Sequence, residues 1–270
     1  MALSDDASTI LPIINNKGGI GKTTTAVNLA GALSRAGQSV LLIDLDSQAS
    51  ASLALGLDRP DLSPSTADVL FGEASVETAI RSLPHEPFDL LSASLDLSDA
   101  DVRLFDTDRR HHQLADRLDH VASLYDTILL DCPPSTSLLT LNAIIAADAL
   151  IIPVSPGYLA LEGIVQLGHV ISQVRSSLGD ATPVLGLLLT MVGTSPDHED
   201  AVIAQVRDHY GEKVFSTEIR TDPALSAAAQ QGRSVFAHDA AAPGADDHAA
   251  LATEVMERIQ QYSVASAPAA

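Results

Sequence analysis

The sequence predicts an α/β protein whose sheet is doubly wound, mostly parallel and flanked by helices. Short, continuous apolar runs recur along the chain, as in strands that are covered on both faces. Stretches with a helical pattern lie between these runs, and a glycine-rich turn joins the first run to the first helix. Strand–helix–strand alternation of this kind favours right-handed crossovers within one sheet.

Each element is predicted from its own pattern. The first strand is a β-branched and apolar run, and Gly37 follows the first helix at a position that favours its end. The run that ends at Asp44 reads Ser-Val-Leu-Leu-Ile-Asp, which indicates a buried strand. The predicted strands cover residues 9–15, 39–44, 88–92, 127–130, 149–154 and 184–191. The predicted helices cover residues 23–35, 109–123, 137–147, 159–177, 198–209, 223–231 and 246–262.

The domain organisation is predicted to be simple. No internal repeat or linker divides the chain, so we expect a single domain over residues 9–262. Residues 56–87 contain four prolines and are expected to hold short helices beside the functional site. The small, polar residues 1–8 and the Ala/Ser/Pro-rich residues 263–270 are expected to be flexible tails.

Composition excludes several classes of protein. At 270 residues, of which 46% are hydrophobic, the chain can bury a substantial core. It has no apolar run long enough for a transmembrane helix and no start typical of a secretory signal. A single cysteine, Cys132, excludes an internal disulfide and a self-contained iron–sulfur site. These features predict a cytoplasmic protein.

The charge of the chain is strongly negative. The formal net charge is −20, from 26 Asp and 9 Glu against 12 Arg and 3 Lys. A particle of this charge is repelled by polyanions at long range, so binding to DNA or to an anionic membrane requires a local basic patch. The acidic surface suits a cytoplasm of high ionic strength and equally suits a changed ligand, and the sequence leaves both explanations open.

A phosphate-binding loop is predicted between the first strand and the first helix. Residues 17–24 read Lys-Gly-Gly-Ile-Gly-Lys-Thr-Thr, which meets the final Gly-Lys-Ser/Thr of the P-loop pattern but has Asn16 where that pattern has its first glycine. Glycines allow backbone N–H groups to turn toward phosphate oxygens, and the following helix adds its positive end. Lys22 is expected to reach the β- and γ-phosphates of ATP, and the Thr23 hydroxyl to bind Mg²⁺. The predicted nucleotide contacts in this loop are Gly18, Gly19, Ile20, Gly21, Lys22, Thr23 and Thr24.

Carboxylates follow two of the predicted strands. Asp44 and Asp46 come at the end of the second strand, and Asp131 follows the run at 127–130. Ligands of open parallel sheets bind beyond the carboxyl ends of the strands, so these side chains are expected near the phosphates. Asp131 is predicted to join the Mg²⁺ shell through water, with Asp44 as a further metal contact. Asp44 and Asp46 are predicted to orient or deprotonate the attacking water, the alternative being that each carboxylate only caps the next helix.

Five segments together form a specific signature. They are KGGIGKTTTAVNLA (17–30), LLIDLDSQ (41–48), DCPPSTSLLTLNA (131–143), IIPV (151–154) and YLALEGI (158–164). With these segments the chain resembles the ParA/MinD group of deviant Walker A P-loop ATPases, and within that group the short, Soj-like ParA branch. The resemblance runs from about residue 9 to residue 260.

The resemblance implies a mechanism. ATP-bound copies are expected to form a homodimer in which Lys17 crosses to the partner's phosphates. Lys17 is therefore expected to be a catalytic residue, together with Lys22, Asp44 and Asp46. Hydrolysis of ATP is expected to be slow alone and stimulated by a ParB-like partner. The ATP-bound dimer binds DNA without sequence preference in this family, which implies chromosome or plasmid segregation, or positioning of other cargo, and association with the nucleoid. The family also places a loop that matches Pro223 beside the adenine, and we extend the nucleotide contacts to Met191.

Membrane targeting is not expected. MinD-like relatives end in a basic amphipathic helix, whereas residues 254–270 of this chain contain no lysine.

DNA binding is the implied property that the residues support least. By alignment, Ser195 and Ala224 stand where Soj-like relatives have arginine, and residues 180–270 contain five basic against thirteen acidic residues. Arg220 and Arg233 are the candidate DNA-binding residues that remain, with Arg109 as a further basic position beside Arg110. Each lost phosphate contact weakens non-specific binding. DNA binding can therefore be weak but retained, confined to dimers or filaments, or replaced by another ligand.

Two other functions remain open from the sequence. One is a nucleotide-switched regulatory or interaction protein that has lost DNA carriage. The other is a metabolic P-loop enzyme that acts on a small molecule, although no second substrate site is indicated. None of the nine histidines has the spacing of a metal site, so no histidine metal centre is predicted.

Overall fold

The computed structural model describes residues 8–157, 160–178, 182–194 and 196–266. Within these residues the strands are β1 (Thr9–Ile13), β2 (Val40–Asp44), β3 (Ile80–Ser82), β4 (Asp89–Leu91), β5 (Thr127–Asp131), β6 (Leu150–Val154), β7 (Val184–Val192) and β8 (Val214–Arg220). The longer helices are α1 (Lys22–Arg35), α7 (Leu138–Ala146), α8 (Ala160–Leu178), α9 (Pro196–Tyr210), α10 (Pro223–Gln230) and α12 (Pro243–Ser266). The short helices are α2 (Ser50–Ala54), α3 (Thr66–Leu70), α4 (Val76–Ala79), α5 (Ala100–Arg103), α6 (Gln113–Leu118) and α11 (Val235–His238).

The strands form one eight-stranded sheet in the order β3-β4-β2-β5-β1-β6-β7-β8. All neighbouring strands are parallel except β3, which pairs antiparallel with β4 at one edge. The register aligns the ends of three central strands, because Asp131 lies opposite Ile13 of β1 and opposite Asp44 of β2. The turns that follow β1, β2 and β5 therefore meet at one edge of the sheet, which is where the predicted site residues lie.

Helices cover both faces of the sheet. On β2, Leu41 and Ile43 pack into one buried cluster while Val40 and Leu42 pack into another, as expected when successive strand side chains point to opposite faces. The first cluster includes residues of α3, α6, α7, α8 and α9, and the second includes residues of α1, α2 and α12. A sheet that is buried on both faces explains the continuous apolar runs of the sequence, and the predicted doubly wound fold class is confirmed.

The outer edge of β8 is covered by side chains of α12. Glu254 accepts hydrogen bonds from the backbone N–H groups of Ser216 (2.8 Å) and Thr217 (2.9 Å), and Asp247 accepts one from the N–H of Arg220 (2.9 Å). Asp247 and Glu254 are seven residues apart, so they lie on the same side of the helix. These carboxylates take up donors that an edge strand otherwise leaves unpaired.

Three local predictions were wrong or incomplete. The helix predicted at 109–123 is much shorter, since α6 covers Gln113–Leu118 and Arg109 lies in a turn with a left-handed backbone (φ +50°). Strands β3 and β8 were not predicted. The last helix continues to Ser266, four residues beyond its predicted end at 262.

Short helices α3 and α4 do lie within residues 56–87, as predicted. Among the described residues, no helix is sufficiently long and apolar to cross a membrane.

Candidate functional site

The turn after β1 forms a loop that is anchored at its start and open at its middle. The buried Asn15 side chain donates a hydrogen bond to the Pro153 carbonyl oxygen of β6 (2.8 Å) and accepts one from the Lys17 N–H (3.0 Å). Gly19 and Gly21 have positive φ angles of 71° and 85°, a conformation that residues with a Cβ rarely adopt. The segment from Lys17 to Gly19 is exposed, so its backbone N–H groups are accessible to a bound anion.

The side chain of Lys22, the first residue of α1, lies against this loop. Its ammonium Nζ donates a hydrogen bond to the Lys17 carbonyl oxygen (2.9 Å), and the side chain is buried. Burial lowers the pKa of Lys22, while the nearby charges of Asp131, Cys132 and Asp46 act in the opposite direction. The ammonium is thus held against the loop in a weakly solvated position, where its interaction with a phosphate is stronger than in water.

Thr23 and Asp131 come together beside the loop. The Thr23 hydroxyl donates a hydrogen bond to Asp131 Oδ2 (2.7 Å), whereas Asp131 Oδ1 is buried and has no hydrogen-bond partner within the described part of the chain. Burial raises the pKa of Asp131, and the neighbouring Asp44 raises it further. An unpartnered, buried carboxylate oxygen is unfavourable unless a cation or its bound water satisfies it.

This pair fits Mg²⁺. No cluster of three or more His, Cys, Asp or Glu able to hold a metal is found in the described residues. Magnesium does not require such a cluster, because it usually keeps several waters and binds through one or two protein oxygens plus substrate phosphates. Thr23 Oγ1 and the free oxygen of Asp131 provide that kind of donor set.

Asp44 is fully buried and both of its carboxylate oxygens accept hydrogen bonds. Oδ2 accepts from the Ser52 N–H (2.9 Å) and the Ser52 hydroxyl (2.8 Å), and Oδ1 accepts from the Asp46 N–H (3.1 Å). Burial raises the pKa of Asp44 to about 6, against the lowering effect of these hydrogen bonds. Asp44 therefore fixes the start of α2, and its predicted metal and catalytic roles stay predictions.

Asp46 is held less tightly than Asp44. It is half-buried, Oδ1 accepts a hydrogen bond from the Gln48 N–H (2.9 Å), and its carbonyl oxygen accepts one from the Ala49 N–H (2.8 Å). The Asp46 charge acts to raise the pKa of Lys22, against the larger effect of burial. A partly solvated carboxylate beside the phosphate loop can orient a water molecule, which is the role that the sequence predicts for Asp46.

Comparisons with known proteins decide the family. A sequence profile of an AAA domain matches residues 8–184. The chromosome partitioning protein ParA of Caulobacter vibrioides is 39% identical over 251 residues, which covers 92% of this chain and 94% of that protein. The chain belongs to the ParA/Soj family of P-loop ATPases. The sporulation initiation inhibitor protein Soj of Bacillus subtilis is 37% identical, covering 91% of this chain and 97% of that protein.

Solved structures place this ParA/Soj chain in a nucleotide-binding fold. MinD from Pyrococcus horikoshii, complexed with Mg-ADP, superposes with a TM-score of 0.77 at 27% identity, covering 94% of this chain and 98% of that chain. Cobyrinic acid a,c-diamide synthase from Mycobacterium smegmatis, with bound ADP and magnesium, gives a TM-score of 0.81 at 29% identity, covering 94% and 96%. Nucleotide and Mg²⁺ binding therefore occurs in solved proteins of this fold.

Two residues that sequence reasoning missed support the phosphate loop of the ParA/Soj chain. The buried Thr190 of β7 donates a hydrogen bond from its hydroxyl to the Ile20 carbonyl oxygen (2.8 Å). Asn28 of α1 donates to the Thr24 carbonyl oxygen (2.8 Å) and accepts from the Val235 N–H (2.7 Å). No local sequence signal indicates Thr190, whereas Asn28 lies within the signature segment at 17–30.

The two residues expected near the adenine lie on adjacent turns. Met191 is exposed near the end of β7 with a left-handed backbone (φ +58°), and Pro223 is exposed as the first residue of α10. The turns are joined by a hydrogen bond between the hydroxyls of Thr194 and Thr221 (2.8 Å). Thr190 connects the same end of β7 to the phosphate loop. Contact of Met191 and Pro223 with a nucleotide remains a prediction.

The candidate DNA-binding arginines are only partly available. Arg220 donates from Nε and Nη2 to the Asp247 carboxylate at 2.6 to 3.0 Å, so its charge is already paired within the chain. Arg233 is half-buried, and its Nε donates to the Gln231 carbonyl oxygen at 3.5 Å. Ala224 is partly buried, and Ser195 lies outside the described residues.

Proposed function

We propose that this chain is a ParA-type partition ATPase, which binds ATP with Mg²⁺, pairs with a second copy and uses ATP hydrolysis to segregate or position chromosome or plasmid DNA, or other cargo. The observation that carries this proposal is the match to a chromosome partitioning protein over 92% of the chain. The arrangement of Lys22, Thr23 and Asp131 around one loop supports it, because these are groups that a magnesium-bound triphosphate needs.

Each residue of the site contributes a separate part of the reaction. The loop N–H groups and Lys22 would bind the β- and γ-phosphates, and Thr23 and Asp131 would hold Mg²⁺, which would supply positive charge beside the phosphates. Asp46 orients the attacking water. Asp44 positions α2 and the turn that carries Asp46, through its bonds to Ser52 and to the Asp46 N–H.

Pairing of two copies completes the site in this proposal. Lys17 is exposed at the start of the phosphate loop, while its own carbonyl oxygen accepts a hydrogen bond from Lys22. Its side chain can therefore extend toward a facing copy and add positive charge where negative charge develops during phosphoryl transfer. Hydrolysis that needs a second copy is slow in the free protein, and a ParB-like partner accelerates it.

A second candidate function keeps the nucleotide switch without DNA carriage. The pairing of Arg220 with Asp247 favours it, because this ion pair removes a positive charge from the surface that would face DNA. Such a protein would position itself on a protein partner, whereas a DNA carrier associates with the nucleoid.

One experiment separates these functions. Labelled random-sequence duplex DNA is titrated with the Asp46→Ala protein in ATP and Mg²⁺, and fluorescence anisotropy is measured over a salt series, with ADP as the control nucleotide. Binding that depends on ATP and weakens steeply with salt supports DNA partition. A protein that dimerises with ATP but binds no DNA at low salt supports the second function and contradicts the first.

A further inference from the structure

The segment from Leu95 to Phe105 carries apolar side chains on two opposite sides. It consists of a 3-10 turn at Leu95–Asp99, helix α5 and one further turn. Leu97, Ala100 and Leu104 are buried in the core, at the spacing of one helical face. Leu95, Val102 and Phe105 lie on the other side and are 62%, 79% and 65% exposed.

This outer side holds the group of exposed large hydrophobic residues that lie closest together in sequence within the described part of the chain. Seven large hydrophobic side chains are strongly exposed among the described residues, and three of them fall within these eleven positions. Single exposed apolar residues are ordinary, but a group of three on one short element is typical of an interaction surface. We call Leu95, Val102 and Phe105 the α5 patch.

The surroundings of the α5 patch are acidic. Exposed aspartates flank it on both sides, namely Asp96, Asp99, Asp101, Asp106 and Asp108. Two arginines of the same stretch pair outside the patch, Arg103 with Glu73 and Arg109 with Asp116. The Arg110 guanidinium lies over the Phe105 ring, 5.2 Å from its centroid, so one cation of this chain contacts the patch. The Arg110 guanidinium donates to the Phe105 carbonyl oxygen (3.1 Å). An apolar centre with an acidic rim complements a cationic segment that carries apolar anchors.

Hydrogen bonds connect this segment to α7, the helix that follows the loop after Asp131. Asp101 Oδ1 accepts a hydrogen bond from the N–H of Leu138, the first residue of α7 (2.8 Å). The Asn142 side chain of α7 donates to the Arg110 carbonyl oxygen (2.9 Å) and accepts from the Leu114 N–H (3.1 Å). Residues 132–137 then join α7 directly to Asp131. The hydrogen bond between Asp101 and Leu138 therefore links the segment that carries the α5 patch to α7, and α7 is joined to Asp131 by residues 132–137.

We propose that the α5 patch is the docking surface for the activating partner, and that the part of the partner that binds it is a cationic segment with apolar anchor residues. This inference rests on the proposed function, since it assigns a place and a chemistry to the stimulating partner. Docking acts on hydrolysis through Asp101 and α7, by changing the position of the loop that follows Asp131.

A second copy of this chain fits the α5 patch less well. A patch rimmed by aspartates meets the same acidic rim when it faces its own counterpart, and the facing like charges repel. A cationic segment gains attraction from the same charges, and its rate of association rises at low salt.

The test compares surface variants in a stimulated ATPase assay. The probe is the purified ParB-type protein of the same organism, titrated into wild-type chain with ATP, Mg²⁺ and DNA. The variants are Val102→Ser/Phe105→Ser, which removes the apolar anchors, and Asp99→Asn/Asp106→Asn, which removes two rim charges. The matched control is Leu124→Ser, because Leu124 is 63% exposed but lies outside the patch. Basal turnover and ATP-dependent dimerisation are measured for every variant.

The proposal predicts that Val102→Ser/Phe105→Ser raises the partner concentration for half-maximal stimulation at least tenfold, with basal turnover unchanged, and that Leu124→Ser has no effect. Asp99→Asn/Asp106→Asn is expected to weaken stimulation mainly at low salt.

Full stimulation of the Val102→Ser/Phe105→Ser protein overturns the docking surface and leaves the partition function intact. Loss of ATP-dependent dimerisation in that variant overturns it in favour of a second copy. A wild-type chain that the partner does not stimulate overturns both this inference and the partner clause of the proposed function.

Discussion

Lys17 and Lys22 lie five residues apart in one loop but face different surroundings. Lys22 is buried and bonded to the Lys17 carbonyl oxygen, while the Lys17 side chain is exposed. The two lysines therefore have different reach, because Lys22 can serve only its own loop and Lys17 can serve a facing copy. This difference makes the trans role of Lys17 testable without a structure of the dimer.

Mixing two inactive variants tests the trans role of Lys17. Lys17→Ala and Asp46→Ala proteins, mixed one to one before ATP is added, are expected to recover about a quarter of wild-type turnover. Half of the random pairs are mixed, and in each mixed pair one site has its own Asp46 and the partner's Lys17. Steady-state phosphate release measures the recovery. A mixture of Lys22→Ala with Asp46→Ala is the control and should recover nothing, since both groups act in their own site. No recovery in the first mixture would place Lys17 in its own site as well.

The buried His248 is expected to make the free energy of unfolding depend on pH. Its ring is fully buried in α12, Nδ1–H donates to the Gly244 carbonyl oxygen (2.7 Å), and Nε2 has no hydrogen-bond partner within the described residues. Burial lowers the pKa of His248 to about 4. In the unfolded chain His248 takes up a proton near pH 6.5, whereas in the folded chain it does so only near pH 4. The neutral, buried ring therefore contributes fully to stability above pH 6.5, and this contribution is lost as the pH falls from 6.5 toward 4.

The His248→Leu variant isolates this effect. Between pH 7.5 and pH 5.5, the free energy of unfolding of the wild type is expected to fall by about 1 kcal/mol more than that of the variant. Urea denaturation at the two pH values measures the difference. His169→Leu, which removes an exposed histidine of α8, should keep the wild-type pH dependence. Equal pH dependence of wild type and His248→Leu would contradict the prediction.

At the scale of elements, α12 stabilises the sheet edge as well as the core. Glu254 accepts three hydrogen bonds from β8, two from backbone N–H groups and one from the Thr217 hydroxyl, and it pairs with Arg258 (2.8 Å). Arg258 in turn donates to the carbonyl oxygens of Leu185 and Val214, at the starts of β7 and β8. The Glu254–Arg258 pair thus joins α12 to two strands.

Glu254→Ala should destabilise the fold strongly. We expect the free energy of unfolding to fall by about 3 kcal/mol, because the change leaves two strand donors unpaired and Arg258 without its carboxylate. Denaturant unfolding followed by circular dichroism gives the value. Glu257→Ala, three residues along the same helix at an exposed position, should change stability by less than about 0.5 kcal/mol. Similar losses in the two variants would show that Glu254 has no special role.

The strands that are easiest to predict from the sequence are those whose apolar runs are buried on both faces of the sheet. β2 and β5 are buried at all five positions, and their patterns need no tertiary information. β8 lies at the sheet edge, where exposed and buried residues alternate irregularly, and β3 has three residues with no apolar run. The 109–123 segment reads as a helix, but a left-handed residue at Arg109 and packing on α7 shorten it.

The candidate site divides in the same way. The glycine loop and the acidic strand ends could be found because parallel strands bring their carboxyl ends together. Thr190 could not, since its bond to Ile20 spans 170 residues and depends on the placement of β7 beside the loop. The contacts of Asp44 with Ser52 could not be predicted from the sequence either, because they depend on how α2 packs against the end of β2.

At the scale of the whole molecule, the charge of −20 opposes compaction, since the folded chain brings 35 carboxylates together against 15 cationic side chains. Asp44 and Asp131 are buried, but many other carboxylates lie at the surface and repel one another there. Salt shortens the range of this repulsion from about 30 Å at 0.01 M to about 8 Å at 0.15 M.

Thermal stability is therefore expected to rise with salt. The melting temperature should increase by several degrees between about 0.01 M and 0.3 M sodium chloride, as measured by differential scanning fluorimetry without nucleotide. The variant Asp58→Asn/Asp119→Asn/Asp208→Asn, which neutralises three exposed carboxylates, should show a smaller increase. A melting temperature that falls with salt would mean that ion pairs outweigh repulsion between like charges.

The single cysteine gives the molecule a built-in reporter. Cys132 follows Asp131, is buried, and has its thiol pKa raised by burial and then by the Asp131 charge. A thiol reagent such as iodoacetamide can reach Cys132 only when the loop after β5 opens. The rate of alkylation in the native protein therefore reports how often this loop opens. Since no other cysteine competes for the reagent, mass spectrometry of the intact chain can follow this rate with and without ATP and Mg²⁺. We expect nucleotide to slow the reaction, and an unchanged rate would mean that the loop moves independently of the phosphate site.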